Sequence, residues 1–352
     1  MAMSSIAARR GKPGHVTVRT RFFALRFNYR VLLMTALALL LLVLLATWAM
    51  TLGSFPIPFS DVVRAMFGEG SPDQELVVRN LRLPRVISAV LIGAALAMAG
   101  AIFQGVVRNP LVSPDIIGID AGATLFAVFW IVTGRTSWLL PVAAFAGALL
   151  TAGVIYLLAW KGGVSPNRLI LVGIGVAATL SAGTTYMMVR FPIEMVRPAV
   201  VWTIGSVYAS TWQDVRLLLL FLAVLTPAAV ALMWRLRTLQ LGDDVTRVLG
   251  VSLERTRLEL IVAGCGLAAV ATAIAGPIGF VALMVPHIAR MLGGPMSGSV
   301  MLLTAVAGGL FLLSADVVAQ HFLPVALPVG VVTSAVGAPY FLLLLYRSNV
   351  RM

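Results

Sequence analysis

Val31-Leu32-Leu33-Met34-Thr35-Ala36-Leu37-Ala38-Leu39-Leu40-Leu41-Leu42-Val43-Leu44-Leu45-Ala46-Thr47-Trp48-Ala49-Met50 contains no charged residue and no Gly, Pro, Asn or Asp to turn the chain. A bilayer core of about 30 Å is crossed by about 20 apolar residues in helical form, and this run has that length. It is apolar on every face, whereas a surface helix keeps a polar side and a transmembrane β-strand alternates in segments of about ten residues. Leu217 to Trp234 is likewise free of charged residues, with Pro227 its one break in the pattern. Over the whole chain 60% of residues are apolar and 11% charged. Soluble domains hold about 45 to 50% apolar residues, so a water-facing surface cannot be built from this composition. The fold class is therefore an all-α integral membrane protein.

Outward from the first run, hydrophobic segments fall at 29–52, 85–107, 115–133, 137–160, 168–190, 213–235, 255–275, 277–291, 298–320 and 328–346, which predicts about ten membrane helices. The first is long for a signal-peptide core and no small-residue cleavage site follows it before Phe55-Pro56, so it is read as a retained helix. Residues 1–28 are a basic tail expected to lack structure, and 29–352 form one transmembrane domain. The net charge of +13 would suggest nucleic acid in a soluble protein; here it reads as the positive-inside rule. With a cytoplasmic N-terminus, eighteen of the 26 Lys and Arg fall on the inner side, among them Arg108, Arg235, Arg247, Arg257 and Arg290. Both termini are then cytoplasmic, and the chain is expected in the cell membrane, in contact with lipid and not with nucleic acid.

Chemical motifs are few. There is no G-x-x-x-x-G-K phosphate loop and no H-E-x-x-H, the histidines stand apart at 15, 287 and 321, and Cys265 has no second cysteine to pair with. The expectation is no catalytic residue, no metal site and no cofactor. Gly173-x-Gly175-x-x-Ala178 imitates a dinucleotide fingerprint but lies inside an apolar span, where glycines serve close helix packing; Gly93, Ala97 and Ala101, and Gly118 with Gly122, read the same way. His287, after Pro286, is expected to cap backbone groups near a helix end. A weak repeat sets Ala99-Gly100-x-Ile102 and Pro110 beside Ala275-Gly276-x-Ile278 and Pro286, and would make two inverted-repeat-like halves.

Two polar features stand out. Asp316 lies within a span, where a carboxylate costs about 2.5 to 3.5 kcal/mol on insertion scales, so it needs a partner. Residues 239–251 form a short amphipathic element between spans six and seven. Asp243 and Asp244 suit a helix N-terminus, Val245, Val248 and Leu249 share a stripe, and Gly242 and Gly250 bracket it. Such a stripe needs a surface to cover it, either a partner or the bundle itself.

Several ordered motifs resemble one family. Gly93-Ala94-Ala95-Leu96, Gly100-Ala101-Ile102-Phe103-Gln104 and Arg108-Asn109-Pro110-Leu111-x-x-Pro114-Asp115-x-x-Gly118 open the series; Trp202-x-x-Gly205-Ser206 and Leu241-Gly242-Asp243 follow; Gly276-Pro277-Ile278-Gly279-Phe280 to Pro286-His287-Ile288-Ala289-Arg290 and Leu327-Pro328-Val329-Gly330 close it. Over residues 30 to 346 the chain is similar to the permeases of iron-siderophore and vitamin B12 ABC importers, most of all to the ferric-enterobactin type. The resemblance implies a ten-helix subunit paired with a second, homologous permease, a heterodimer in the ferric-enterobactin type. It implies two ATPase subunits that hold ATP and Mg, and an extracytoplasmic binding protein that selects the iron(III)-siderophore, with vitamin B12 or haem as alternative cargo. A secondary transporter coupled through Asp316 is the reading from another class. By resemblance, Leu241, Gly242, Asp243, Asp244, Val248, Leu249 and Gly250 form the ATPase-coupling helix, at about 240–251, and Asn109, Leu111, Pro166 and Asn167 an inner gate. Arg82 and Arg85, in Leu81-Arg82-Leu83-Pro84-Arg85, dock acidic residues of the binding protein. Gln320 stands where an arginine is common, so one lobe of that protein is held differently.

Overall fold

The computed structural model describes residues 7–10, 15–19 and 24–349. Asn28 caps the first membrane helix, α1 (Tyr29–Thr51), its side chain accepting from the Arg30 amide. Beyond α1 the chain forms the short helices α2 (Phe59–Phe67) and α3 (Pro72–Glu75). It then passes through a π-helical turn, Leu76–Arg82, into α4 (Leu83–Val107). Proline explains the widened turn. Pro84 has no N–H and its ring would press on the carbonyl four residues back, so the ladder relaxes to five-residue spacing and the Leu83 amide donates to Val78 O. Pro72–Val107 is thus one apolar rod of 36 residues.

α5 (Pro114–Ile117), α6 (Ile119–Val132), α7 (Leu140–Ala159), α8 (Pro166–Arg190), α9 (Ile193–Ile204) and α10 (Trp212–Gln240) follow. The chain closes with α11 (Asp243–Val248), α12 (Leu253–Ala275), α13 (Val281–Gly293), α14 (Gly298–His321) and α15 (Val329–Asn349). Among the described residues eight helices are long and apolar enough to cross a membrane; α6 and α13 are shorter apolar helices. Together these occupy the ten segments marked by hydropathy. At about 1.5 Å per residue α6 and α13 reach only about 20 Å, less than the bilayer core. The cause is local: Pro110, Pro114 and Gly118 break the chain before α6, and Gly276, Pro277 and Gly279 keep it out of helix before α13.

α4 and α12 are the centre, with 78% of their membrane windows buried, against 11% for α1, 17% for α8 and 22% for α15. α4 packs on α14, α12, α10 and α13. Small residues permit it: a side chain at Gly93 would run into the Gly308 carbonyl, and one at Gly100 into the Ala282 carbonyl. The aligned glycines of the sequence repeat differ in conformation, Gly100 being inside α4 and Gly276 ending α12 at φ +72°. The tail expected to lack structure carries, in its described residues, a three-stranded antiparallel meander, β1 (Ala7–Arg10), β2 (His15–Arg19) and β3 (Ala24–Asn28). The β-branched run Val16-Thr17-Val18 favours that extended conformation.

Candidate functional site

At the end of the bundle where α1 terminates, α4 and α14 bring an ion pair together. Arg85 Nε donates to Asp316 Oδ2 at 2.9 Å and Nη2 to Oδ1 at 2.7 Å, a two-point fork. Their side chains are only 16% and 7% exposed, and the guanidinium lies 5.2 Å from the Tyr208 ring centre. Asp316 therefore has the partner its cost demanded. Arg82, one turn earlier, is held by backbone: Nη1 donates to Met50 O and Nη2 to Phe55 O, both at 2.6 Å. Among the described residues no carboxylate reaches Arg82. Gln320 donates to Leu327 O at 3.0 Å. These side chains, with His321, line an open cavity of about 660 Å³. The sequence reading treated Arg82 and Arg85 alike; the structure separates them, because one charge is matched within the chain and the other is not.

At the opposite end α11 is fixed through its buried residues. Gly242, at φ +112°, turns the chain out of α10, and Gly250, at φ +74°, turns it back toward α12. Thr246 is fully buried; its hydroxyl lies 2.8 Å from Thr238 O and 2.7 Å from Gly242 O. Asp243 receives Arg257 Nη2 at 2.9 and 3.0 Å and a further bond from Arg108. Arg257, 5% exposed, also donates to Val164 O at 2.9 Å, and the Val164 amide donates to Glu254 at 3.0 Å. Burial pushes the Asp243 carboxyl up, but the two arginines outweigh it through hydrogen bonds and charge, holding it below the usual carboxylate range. One carboxylate thus ties α11 to the end of α4, to α12 and to the loop before α8.

The other face of α11 is bare. Val248 is 87% exposed, Leu241, Val245 and Leu249 are also exposed, and the Asp244 side chain is in solvent. The alternative that the stripe lies on its own bundle is thereby overturned: Thr246 faces the bundle, and the apolar residues face away.

The four residues that the resemblance assigned to an inner gate lie at this same end. The Asn109 side chain accepts from the Leu111 amide at 2.9 Å, just after Arg108 in the left-handed region at φ 58°. Pro166 starts α8, with Ser165 as its cap, and Asn167 is exposed. Both loops reach Asp243, one through Arg108 and the other through Val164 and Arg257. Nearby, buried Gln104 donates to Leu283 O at 2.9 Å and accepts from Arg290, joining α4 to α13. His287 lies mid-helix in α13, edge-on to Tyr340 at 6.2 Å, rather than capping an end as its place after Pro286 suggested. Asp120, not singled out by the sequence, accepts from Thr272 at 2.8 Å between α6 and α12.

The FecCD transport family model matches residues 39–347. This chain belongs to the FecCD transport family. Among its relatives, the permease protein YfhA of Bacillus subtilis (strain 168) is 42% identical, covering 85% of this chain and 90% of its own length. The ferric enterobactin transport system permease protein FepG of Escherichia coli (strain K12) is 39% identical, covering 91% and 98%. Other family members at 36 to 39% identity carry names for Fe(3+)-citrate, iron(3+)-hydroxamate and cobalamin import in Bacillus subtilis and Halobacterium salinarum. A solved metal-chelate type ABC transporter in an inward-facing conformation superposes with a TM-score of 0.82 at 29% identity, covering 89% of this chain and 98% of that one. Several of the motifs that carried the resemblance have a packing reason. Gly205, Gly276 and Gly330 meet in one junction, where Ser206 N donates to Ala275 O at 2.7 Å and Gly330 N to Gly205 O at 3.1 Å.

Proposed function

We propose that this chain is one of two permease subunits in an ATP-driven ABC importer that carries an iron(III)-siderophore of the ferric-enterobactin kind into the cell, and that it has no catalytic residue or cofactor of its own. The observation that carries this reading is α11. An isolated helix of six residues is unstable in water, so its apolar face, held outward by Thr246 and Asp243, calls for a partner surface. A groove on one of two ATPase subunits, which bind ATP and Mg elsewhere, supplies it. Leu241, Val248 and Leu249 fill the groove; Gly242, Asp243 and Gly250 set the pose, and Asp244 stays at the rim. Motion of α11 pulls on Asp243, and through Arg108 and Val164 on the gate loops at Asn109 and Leu111 and at Pro166 and Asn167.

Both termini are cytoplasmic in this reading, and Arg82, Arg85 and Gln320 face the extracytoplasmic binding protein. Arg82 offers the unmatched charge, while Arg85 acts as a pair with Asp316. Within the bilayer α8 leaves Gly175, Ala178, Thr179, Ala182 and Thr185 exposed, interspersed with exposed Leu171, Ile174, Tyr186 and Val189. Small and hydroxyl side chains suit a second, homologous permease and a pathway better than lipid tails. The Arg85–Asp316 pairing argues against a secondary transporter driven through Asp316, since that carboxylate is already neutralised.

Purification of the intact complex, identification of its subunits and uptake in proteoliposomes test the proposal. ATP-dependent uptake of a ferric catecholate siderophore, with no uptake under an ion gradient alone, is the expected result. Gradient-driven uptake without an ATPase would overturn the importer reading; ATP-driven uptake of cobalamin or haem in place of the siderophore would overturn the cargo alone.

A further inference from the structure

We infer that α2 is an interfacial helix that rests on the lipid surface at the C-terminal end of α1, holding the connection between α1 and α4 in the headgroup layer. Its rotation is fixed by three contacts. Val62 and Ala65 are buried, Ala65 lies tight against Gly70, and Asp61 accepts from Gln74, whose amide is part of the capping box that starts α3. At about 100° per residue the side chains left over divide into a polar sector, Ser60, Arg64 and Asp61, and an apolar arc. Phe59, Val63, Met66 and Phe67 fall on one arc and are all exposed, Phe59 to 59% and Phe67 to 79%. Arg64 stands at the edge of that arc, away from the buried pair.

The membrane is the occupant because of where the helix is tied. The Ile57 amide bonds back to Thr51 O, the last residue of α1, so α2 begins two residues from a contact with the membrane helix's own end. α1 is the membrane helix that the bundle covers least. Its sides are largely exposed in this chain, and Trp48, one turn from its end, is exposed and packs on exposed Phe322 at 6.0 Å, an aromatic pair suited to the interface. The apolar arc of α2 continues that belt. The rim arginine is placed for a headgroup phosphate, while the only acid of the helix is turned toward α3.

Collision accessibility of nitroxide labels tests this in the full chain reconstituted in liposomes, in a Cys265→Ala background, with labels at Phe59→Cys, Val63→Cys and Phe67→Cys and, for comparison, at Glu69→Cys, which is exposed just beyond the helix. All four positions are on the surface, so three independent reporters remain if one variant misfolds. The expected result is oxygen collision several-fold above that of a water-soluble nickel chelate at 59, 63 and 67, with the order reversed at 69. Nickel exceeding oxygen at all four would overturn the inference. Water-accessible labels that become shielded from both reagents only on adding the binding protein would overturn it in favour of a protein partner.

Discussion

Replacing Asp316 by Asn leaves the Arg85 guanidinium, 16% exposed and inside the bundle, without its counter-charge. The pair approaches to 2.7 Å, and at an effective dielectric constant of about 20 the attraction is roughly 6 kcal/mol before desolvation. Desolvation of two ions removes much of that, so the intact pair adds little net stability, whereas breaking one side costs about 3 to 5 kcal/mol. Asp316→Asn and Arg85→Met should each therefore lower stability by about 3 kcal/mol or more, while the two combined should lose less than either alone, because no charge is stranded and Tyr208 can pack on the methionine. Thermal unfolding of the four proteins in nanodiscs, treated as a double-mutant cycle, measures this. Additive losses, with the double variant worse than both singles, would refute the view that the pair exists to neutralise itself.

Other outcomes follow from the same geometry. Gly100→Ala should destabilise by several kcal/mol, since its Cβ would meet the Ala282 carbonyl, whereas Gly175→Ala, with open space around it, should change stability by at most about 0.5 kcal/mol; unfolding midpoints separate the two. Arg82→Glu should weaken capture of the binding protein most at low ionic strength, as expected for a half-buried docking charge at the edge of the cavity, and equal affinity at low and high salt would count against it. The Asp243 clasp has a definite pH sign. Its folded-state carboxyl titrates below the usual range, so its stabilising contribution is complete above the unfolded value near pH 4 and is lost as pH falls through the folded value; Asp243→Asn should remove that dependence. Hydrogen exchange across residues 240–250 should show the acid-dependent loosening in the parent chain only.

The membrane class was legible because hydrophobic length depends on neighbours in sequence, and the ten apolar segments all recur as helices. Span lengths were less legible: α6 and α13 are cut short by Gly and Pro residues whose weight against a long apolar run is decided by packing, such as Gly118 against α8. The identity of Asp316's partner was hidden by distance, since Arg85 lies 231 residues away along the chain. The same holds for the Asp243 clasp, where Arg108, Val164 and Arg257 come from three separate segments. The exposed stripe of α11 was readable from spacing alone, but Thr246, which decides which face turns outward, looked like one more polar residue of a short helix.

The central claim is that α11 hands ATPase motion to this permease. Val248→Asp and Leu249→Asp change only exposed side chains, so stability should shift by no more than about 0.5 kcal/mol. In the complete complex reconstituted in proteoliposomes, with ATP inside and siderophore-loaded binding protein outside, the double variant should assemble poorly with the ATPase and lose both uptake and transport-stimulated hydrolysis. Uptake and stimulated hydrolysis at the parent rate would contradict the account.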